Sequence, residues 1–192
     1  MIAPISMEFA PSQGVQKALP DGEAELLEAC RCGNRDAQRQ LYQQHCDSVY
    51  RLMFRMAGSS HADDLTQQVF LAIFQRLEKF QGRSLFSSWL YRVASNEALQ
   101  FLRRKRRATH QSIVVDPADP MPDAEDQLDQ HDLLEYALGR LTPELRAIFL
   151  LRESEGLSYY EIAMAMDIAE GTVASRLNRA RRCLRGFVSA AS

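Results

Sequence analysis

Apolar residues recur every three or four positions along most of this chain, which is the spacing of amphipathic helices. The clearest run is a stripe of residues at intervals of four, Leu65, Val69, Ile73 and Leu77. Helix-breaking residues are sparse, with nine glycines and seven prolines in 192 residues. An apolar content of 46% is typical of a folded globular protein. The pattern therefore predicts an all-α fold.

Capping residues and glycines divide the first half of this pattern into separate helices. We expect a first helix over about residues 21–32, and a second that follows a cap on Asn34 and ends at Gly58. Ser60 and Asp63 have the spacing of a capping box, so they predict the start of a third helix.

Charge is distributed unevenly, although the net charge is only −2. A fourth helix, expected from about residue 84, ends in five consecutive cations at residues 103–107. The next 25 residues carry three prolines and seven acids but no lysine or arginine, as flexible linkers do. The predicted organisation is a mobile arm (1–20), an N-terminal helical bundle (21–107), an acidic flexible linker (108–132), a second helical domain (133–188) and a tail (189–192).

The second domain contains the pattern of a helix-turn-helix. Thr142 is expected to cap a helix that begins at Pro143, where the missing N–H costs little. Ser158 and Glu161 have capping-box spacing and predict the start of a further short helix. Residues 167–170 form the break that follows it.

After the break, a longer helix separates an apolar side from a polar one. The inner positions are Val173, Leu177, Ala180 and Leu184. The outward positions are Thr172, Ser175, Arg176 and Arg179. A short helix, a tight turn and a longer basic helix form the arrangement that places the second helix in the DNA major groove. The alternative is an ordinary helical hairpin with a solvated arginine face.

The fourth helix combines aromatic, basic and amide residues around its surface. They are Trp89, Tyr91, Arg92 and Asn96, followed by the basic run. Such interleaving suits stacking on unpaired bases together with neutralisation of the nucleic-acid backbone. The alternative is a solvated helix end, because cations are favoured at a helix C-terminus.

The third helix carries a polar side opposite its apolar stripe. This side consists of Asp63, Asp64, Gln67 and Gln68. Phe70 and Phe74 lie beside the stripe, and the pattern leaves open whether they belong to the core or to an exposed surface.

Several classes of protein do not fit this sequence. It has no apolar run of about 18 residues and no basic start followed by an apolar core, so we expect a cytoplasmic protein without membrane insertion. No glycine-rich phosphate loop, metal triad or nucleophile–base pair indicates an enzyme or a cofactor. The spacing of Cys30, Cys32, His45 and Cys46 matches no strong zinc template, which predicts no metal site.

The order of these features resembles a known family, the bacterial σ70-type initiation factors and in particular their small extracytoplasmic-function (ECF) group. The resemblance covers about residues 23–187. Residues 63–70, with the letters DDLTQQVF, resemble region 2.2 of that family. Residues 80–96 resemble regions 2.3 and 2.4, and residues 141–144 and 156–184 resemble region 4. The resemblance implies a sigma factor that directs core RNA polymerase to promoters, recognising the −35 element and melting the −10 element.

The resemblance also implies a role for individual residues. Core polymerase, through its β′ clamp helices, would contact Asp64, Leu65, Gln67, Gln68 and Phe70. The −10 element would contact Phe80, Gln81, Gly82, Arg83, Ser84, Arg92, Asn96, Arg103, Arg104 and Lys105. The −35 element would be read by Thr172, Ser175, Arg176 and Arg179. The surface around residues 141–157 would contact the polymerase β flap, and an anti-sigma factor would be a further partner.

Four positions depart from the family pattern. Gln68 stands where an acid is usual, and Gln100 where an aspartate is common. Asp167 replaces the usual turn glycine, and aspartate is among the few residues that tolerate a left-handed conformation. Ala174 stands where lysine is frequent, which implies a different −35 preference.

Two rival functions remain open on the sequence. One is a helix-turn-helix repressor or activator whose N-terminal half dimerises or senses a signal. The other is a metal-dependent enzyme built on the cysteine and histidine cluster.

Overall fold

A computed structural model describes residues 22–82, 84–112 and 130–190, and within these ranges the regular structure is entirely helical. The all-α prediction is confirmed. A short 3-10 helix at Leu77–Lys79 follows the third α-helix. The α-helices are α1 (Glu23–Arg31), α2 (Arg35–Ala57), α3 (Ser59–Arg76), α4 (Phe86–Ser112), α5 (Gln130–Arg140), α6 (Pro143–Glu153), α7 (Tyr159–Met166) and α8 (Glu170–Ala190). The predicted arm, most of the predicted linker, Arg83 and the last two residues lie outside the described ranges.

Helices α1 to α4 form the N-terminal unit, and the apolar stripe of α3 lies at its centre. All four stripe residues are buried, as are the residues of α2 and α4 that face them. The facing residues include Leu41, Leu52, Met53, Phe86, Leu90 and Ala94. The unit therefore has one apolar core to which each of its long helices contributes.

The starts of α2 and α3 differ in how their backbone N–H groups are satisfied. The Asn34 side chain accepts from the N–H groups of Asp36 and Ala37, as predicted for a cap. The predicted cap at Ser60 is wrong, because α3 begins at Ser59 without a side-chain cap. Gly58, at φ 87°, ends α2 and starts α3, so one glycine makes the whole turn.

Helix α4 is longer than the sequence predicts. It continues through the basic run to Ser112, whereas the bundle was expected to end at residue 107. Arginine and lysine have high helix propensity, and cations interact favourably with a helix C-terminus, so their mutual repulsion does not stop the helix. Helix α5 likewise begins at Gln130, three residues before the predicted domain boundary at 133.

Helices α5 to α8 form the C-terminal unit. As predicted, Thr142 occupies the N-cap position of α6 and Pro143 begins the helix, but the Thr142 side chain accepts no cap hydrogen bond. The capping box of α7 is confirmed: the Ser158 hydroxyl accepts from the Glu161 N–H, and the Glu161 carboxylate accepts from the Ser158 N–H.

The two units contact each other through α4 on one side and, on the other, α7 and the segment that precedes it. The Tyr91 hydroxyl donates to the Glu155 carboxylate, and the Ser88 hydroxyl donates to Glu161 at 3.2 Å. Burial and the hydrogen bond to Glu155 together raise the pKa of Tyr91 to about 12.

A second set of contacts joins α2 to the C-terminal unit. Arg55 donates to the Ser154 hydroxyl at 2.7 Å, and Arg146 donates to the carbonyl oxygen of Met56 at 2.8 Å. The described arrangement is therefore one in which the two units are packed together. No helix in the described parts of the chain is long and apolar enough to cross a membrane.

Candidate nucleic-acid interface

The turn between α7 and α8 has the geometry that a helix-turn-helix needs. Asp167 adopts the left-handed conformation, at φ 54° and ψ 51°. Ala163 and Val173 are buried where the two helices meet, and Ile168 is half-buried against the same core. The small side chain of Ala163 and the left-handed turn together fix the angle at which α8 leaves α7.

Helix α8 divides its residues as the sequence predicts. All four predicted inner residues are buried. On the outer side, Ser175 and Arg179 are exposed, while Thr172 and Arg176 are half-buried. The Ser175 hydroxyl donates to the backbone carbonyl of Thr172 at 3.0 Å, which orients it along the helix. Hydroxyl and guanidinium groups are the side chains that contact base edges and phosphates in the major groove.

The loop at residues 80–84, called here the 80–84 loop, is anchored at Phe80 and exposed at the two residues that follow it. The Phe80 ring is 4% exposed and packs against Phe86 and Trp89, with ring centroids 5.6 and 5.4 Å away. Gln81 and Gly82 are exposed, and Ser84 is half-buried. Phe80 therefore supports the loop from the core, and its side chain does not face solvent as a stacking surface.

A cavity of about 400 Å³ lies beside this loop. Its walls are formed by Ala24, Leu27, Arg31, Glu78, Phe80, Gln81 and Gly82. This volume is within the usual range of small-ligand pockets. The residues of α1 on its wall were not predicted, because nothing in the local pattern of α1 shows that the loop lies against it.

The exposed surface of α4 carries the remaining residues of the predicted −10 set. Arg92 and Asn96 are one helical turn apart and both are exposed. Three further cations, Arg103, Arg104 and Lys105, are exposed about two turns or more beyond Asn96. Arg104 donates to the Gln100 side chain at 3.1 Å, and the Lys105 amine lies 3.3 Å from a ring nitrogen of His61.

In the packed arrangement, residues from both predicted DNA-contacting sets line one cavity between the units. Its volume is about 570 Å³. Asn96 and Arg103 lie on the α4 side, and Arg176 and Arg179 lie on the α8 side. Arg103 also forms an ion pair with Glu144 of α6, at 3.6 Å. The two sets therefore face each other here.

The predicted polymerase-contacting set is split between surface and core. Asp64, Gln67 and Gln68 are exposed, as predicted for the polar side of α3. Leu65 and Phe70 are 1% and 3% exposed, so the core interpretation of Phe70 is confirmed. A partner that binds this surface would contact the polar side chains, and not the side chains of Leu65 and Phe70.

Two apolar side chains on the same surface were missed by the sequence analysis. Leu71 is 60% exposed, one turn after Gln67 on the polar side of α3. Tyr42 is 38% exposed, and its ring centroid lies 4.6 Å from that of Phe70. The signal for Leu71 was present, since it falls outside the apolar stripe at helical spacing from the amides.

The cysteines do not assemble a metal site in the described ranges, where no group of three potential His, Cys, Asp or Glu ligands lies close together. All four are free thiols, and burial raises the pKa of Cys30.

Comparison with known proteins gives a consistent assignment. Residues 41–108 match the sigma-70 region 2 family, and residues 131–184 match the sigma-70 region 4 family. The chain is 34% identical to the ECF RNA polymerase sigma factor SigE of Mycolicibacterium smegmatis over 97% of its own length and 77% of that protein. It is 31% identical to the ECF RNA polymerase sigma-E factor of Haemophilus influenzae over 85% of its length and 93% of that protein.

A solved structure shares the fold. The sigma factor RpoE, crystallised in complex with the anti-sigma factor NepR from Bartonella quintana, aligns with 79% of this chain and 96% of its own at a TM-score of 0.65 and 23% identity. Both helical units, the left-handed turn and the relatives lead to one conclusion: the chain belongs to the ECF sigma factors of RNA polymerase and acts in transcription initiation.

Proposed function

We propose that α8 reads the −35 element in the major groove with Thr172, Ser175, Arg176 and Arg179. The supporting observation is that these donors lie outside the core while the opposite side of α8 is completely buried. An arginine that makes a bidentate contact to a guanine distinguishes it from other bases by about 1–3 kcal/mol. Specificity for the upstream element then rests on the outer side of this one helix.

The N-terminal unit binds the −10 element in its opened form. The exposed part of the 80–84 loop receives an unpaired base, while Arg92, Asn96 and the cations of α4 contact the backbone beside it. Duplex DNA has no unpaired base to offer, so a site for such a base favours the melted state.

The energies show why several contacts are needed. Stacking of one captured base contributes on the order of 1–3 kcal/mol, and opening one base-pair step costs about 1.4 kcal/mol of stacking. One captured base therefore offsets about one opened step. Melting of a longer stretch depends on further contacts and on attachment to the polymerase, which raises the effective concentration of both modules at the promoter.

The exposed side of α3 provides the attachment to core polymerase. Asp64, Gln67 and Gln68 supply the polar contacts, and Leu71 and Tyr42 add apolar area at the same surface. The surface at residues 141–157 contacts the β flap. An anti-sigma factor, as named for the structural relative, is a further partner of this chain in the cytoplasm, and the chain itself supplies no bond chemistry.

A test uses holoenzyme reconstituted from the pure chain and core polymerase, on a promoter mapped by sequencing transcripts after overexpression. Open-complex formation is measured on the native template, on one with a scrambled −35 element, and on a series with single abasic sites in the −10 non-template strand. The wild-type chain is expected to lose activity on the scrambled template and at one or more abasic positions.

The variant Arg176→Ala separates the two modules in this assay. It is expected to respond little to scrambling of the −35 element and to keep its sensitivity to abasic sites. If Arg176→Ala still discriminates native from scrambled −35 sequence as well as the wild-type chain does, α8 does not use this residue for reading.

A further inference from the structure

The 80–84 loop is connected by hydrogen bonds to a helix far from it in sequence. Arg31, the last residue of α1, donates from Nε to the carbonyl oxygen of Leu77 at 3.3 Å and from Nη2 to that of Phe80 at 2.6 Å. Its third nitrogen pairs with Glu28 at 2.8 Å within α1. Each branch of the guanidinium therefore has a partner, and two of these partners are backbone groups at the entry to the loop.

The two accepting carbonyls belong to the first residue of the 3-10 helix, Leu77, and to its C-cap residue, Phe80. The Leu77 carbonyl also accepts from the Phe80 N–H at 3.1 Å, so Arg31 adds a second donor there. The Phe80 carbonyl lies at the end of the helix, where carbonyl groups have no partner within the helix and carry partial negative charge. The planar arginine fork donates to the two oxygens from two nitrogens at a fixed spacing, whereas a lysine ammonium donates from a single nitrogen.

The loop is therefore fixed at one residue from two directions. The Phe80 ring is held in the core between Phe86 and Trp89, and the Phe80 carbonyl is held by Arg31. Beyond this point, Gln81 and Gly82 are exposed and line the cavity of about 400 Å³. Gly82 has φ 68°, a conformation that L residues adopt at a cost, so the backbone turns sharply here.

Helix α1 also contributes to the wall of that cavity. Ala24, Leu27 and Arg31 line it together with the loop residues. Leu27 is 1% exposed and belongs to the core, so this wall is part of the rigid bundle. The Arg31 side chain remains 29% exposed, at the boundary between core and solvent.

We propose that Arg31 is a positioning residue for base capture: it fixes the 80–84 loop against α1 so that the cavity between them receives one unpaired base of the −10 non-template strand. This inference rests on the proposed role of the loop and adds α1 to the site. Arg31 acts through the loop backbone and not through its charge on phosphate.

The test is a double-mutant cycle between Arg31 and the captured base, with the reconstituted holoenzyme on the mapped promoter. The abasic series first identifies the −10 position at which loss of the base most reduces open-complex formation by the wild-type chain. Open complex is detected by the reactivity of unpaired thymines with permanganate. Arg31→Ala is then compared with the wild-type chain on the intact template and on the template abasic at that position. Binding to a duplex fragment with the −35 element alone and the thermal unfolding curve serve as checks of folding.

On the intact template, Arg31→Ala is expected to reduce the rate of open-complex formation about tenfold, the scale of lost hydrogen bonds from a charged donor. On the abasic template it is expected to cause little further loss, because the cavity then has no base to receive. Binding to the −35 fragment is expected to be unchanged.

Three further variants separate position from charge. Arg31→Lys keeps the charge but not the fork, so an intermediate rate is expected. Glu28→Gln removes the ion pair within α1 and leaves both loop hydrogen bonds, so a rate close to that of the wild-type chain is expected. Arg39→Ala is the matched control, because Arg39 is an exposed arginine of α2 that pairs with Asp36 and lies outside the proposed site, so no change in rate is expected.

The outcomes distinguish the inference from the proposed function. If no abasic position affects the wild-type chain, the loop does not capture a base and the proposed function of the loop fails. If one abasic position does affect the wild-type chain, two results would overturn the positioning role of Arg31 and leave base capture standing. One is an equal loss of open-complex rate by Arg31→Ala on the intact and abasic templates, and the other is a wild-type rate for Arg31→Lys.

Discussion

Asp167 shows how one residue sets the geometry of the DNA-binding module. It is the only non-glycine residue with positive φ in the described parts of the chain. Aspartate tolerates this conformation better than most residues, but glycine adopts it without a steric cost. The turn can therefore be built without the glycine that is usual in the family.

Substitution of Asp167 should follow this conformational preference. Asp167→Ala is expected to lower the free energy of unfolding by about 1 kcal/mol, because alanine at positive φ is strained. Asp167→Gly is expected to leave it within a few tenths of a kcal/mol of the native value or to raise it. Urea unfolding of the full chain measures both, and equal stability of the two variants would contradict the role given to the left-handed turn.

Arg104 tests the contribution of the basic end of α4. It is exposed, and it donates to the neutral Gln100 side chain. Arg104→Ala is expected to weaken binding to all promoters alike and to lower the slope of log affinity against log salt by about one. Promoter binding by holoenzyme across a salt series measures this. A loss confined to one −10 sequence would show that Arg104 reads bases.

At the scale of elements, two N-cap positions that look alike in sequence differ in the structure. Asn34 accepts two backbone N–H groups at the start of α2, whereas Thr142 accepts none at the start of α6. Asn34→Ala is expected to cost about 1 kcal/mol of unfolding free energy. Thr142→Ala is expected to cost only a few tenths, since it removes no hydrogen bond. Thermal and urea unfolding of the two variants side by side provide the measurement, and equal losses would contradict the described cap geometry.

The elements also show which features local sequence determines. The stripe of α3, the caps at Asn34 and Ser158 and both sides of α8 follow from spacing alone, because the helical period fixes which residues share a face. The predicted cap at Ser60 is wrong because Gly58 makes the turn in one residue. The Thr142 side chain makes no cap hydrogen bond because an N-cap position does not guarantee the side-chain rotamer that makes the bond.

Other features depend on contacts between distant parts of the chain. The sequence pattern places Phe80 in a polar loop, but its ring is buried against Phe86 and Trp89 of the next helix. The hydrogen bonds of Arg31 to the loop join residues 46 and 49 positions apart. No periodicity within α1 or within the loop records this pairing, so sequence patterns located the loop but not its support.

For the whole molecule, the packed arrangement of the units has a consequence for promoter binding. The two DNA elements are numbered about 25 base pairs apart, which at about 3.4 Å per base pair is roughly 85 Å of duplex. In the structure, Arg103 of α4 and Arg176 of α8 line the same cavity. With the proposed roles of these two residues, one molecule in this arrangement does not reach both elements, so we expect the units to separate when the holoenzyme binds a promoter.

The Tyr91–Glu155 hydrogen bond is one of the contacts that such separation breaks. Tyr91→Phe leaves the Glu155 carboxylate without this donor, and a hydrogen bond to a charged group contributes about 1.5–3 kcal/mol. We expect a larger fraction of separated molecules in the free chain, measured by energy transfer between one fluorophore on each unit. Tyr50→Phe is the matched control, because Tyr50 is an exposed tyrosine of α2. The same distance distribution for both variants would contradict a contribution of Tyr91 to the contact.

The pH dependence of this contact has a defined sign. The pKa of Tyr91 is raised by burial and by the bond to Glu155, so the neutral hydroxyl is the form that the packed arrangement favours. The contribution of Tyr91 is fully present below its ordinary pKa of about 10 and is lost as the pH rises through about 12. Energy transfer in the wild-type chain should therefore show no loss from ionisation of Tyr91 between neutral pH and pH 9.

The most direct test of the account is transcription by the reconstituted holoenzyme. The pure chain of 192 residues is mixed with bacterial core polymerase and a library of genomic fragments from its host, and the RNA products are sequenced. The account predicts transcripts with defined start sites, each preceded by a shared −10 and −35 sequence, and their absence with core polymerase alone. If the mixture yields no RNA beyond that of core polymerase from any fragment, the account of this chain as a promoter-recognition subunit is contradicted.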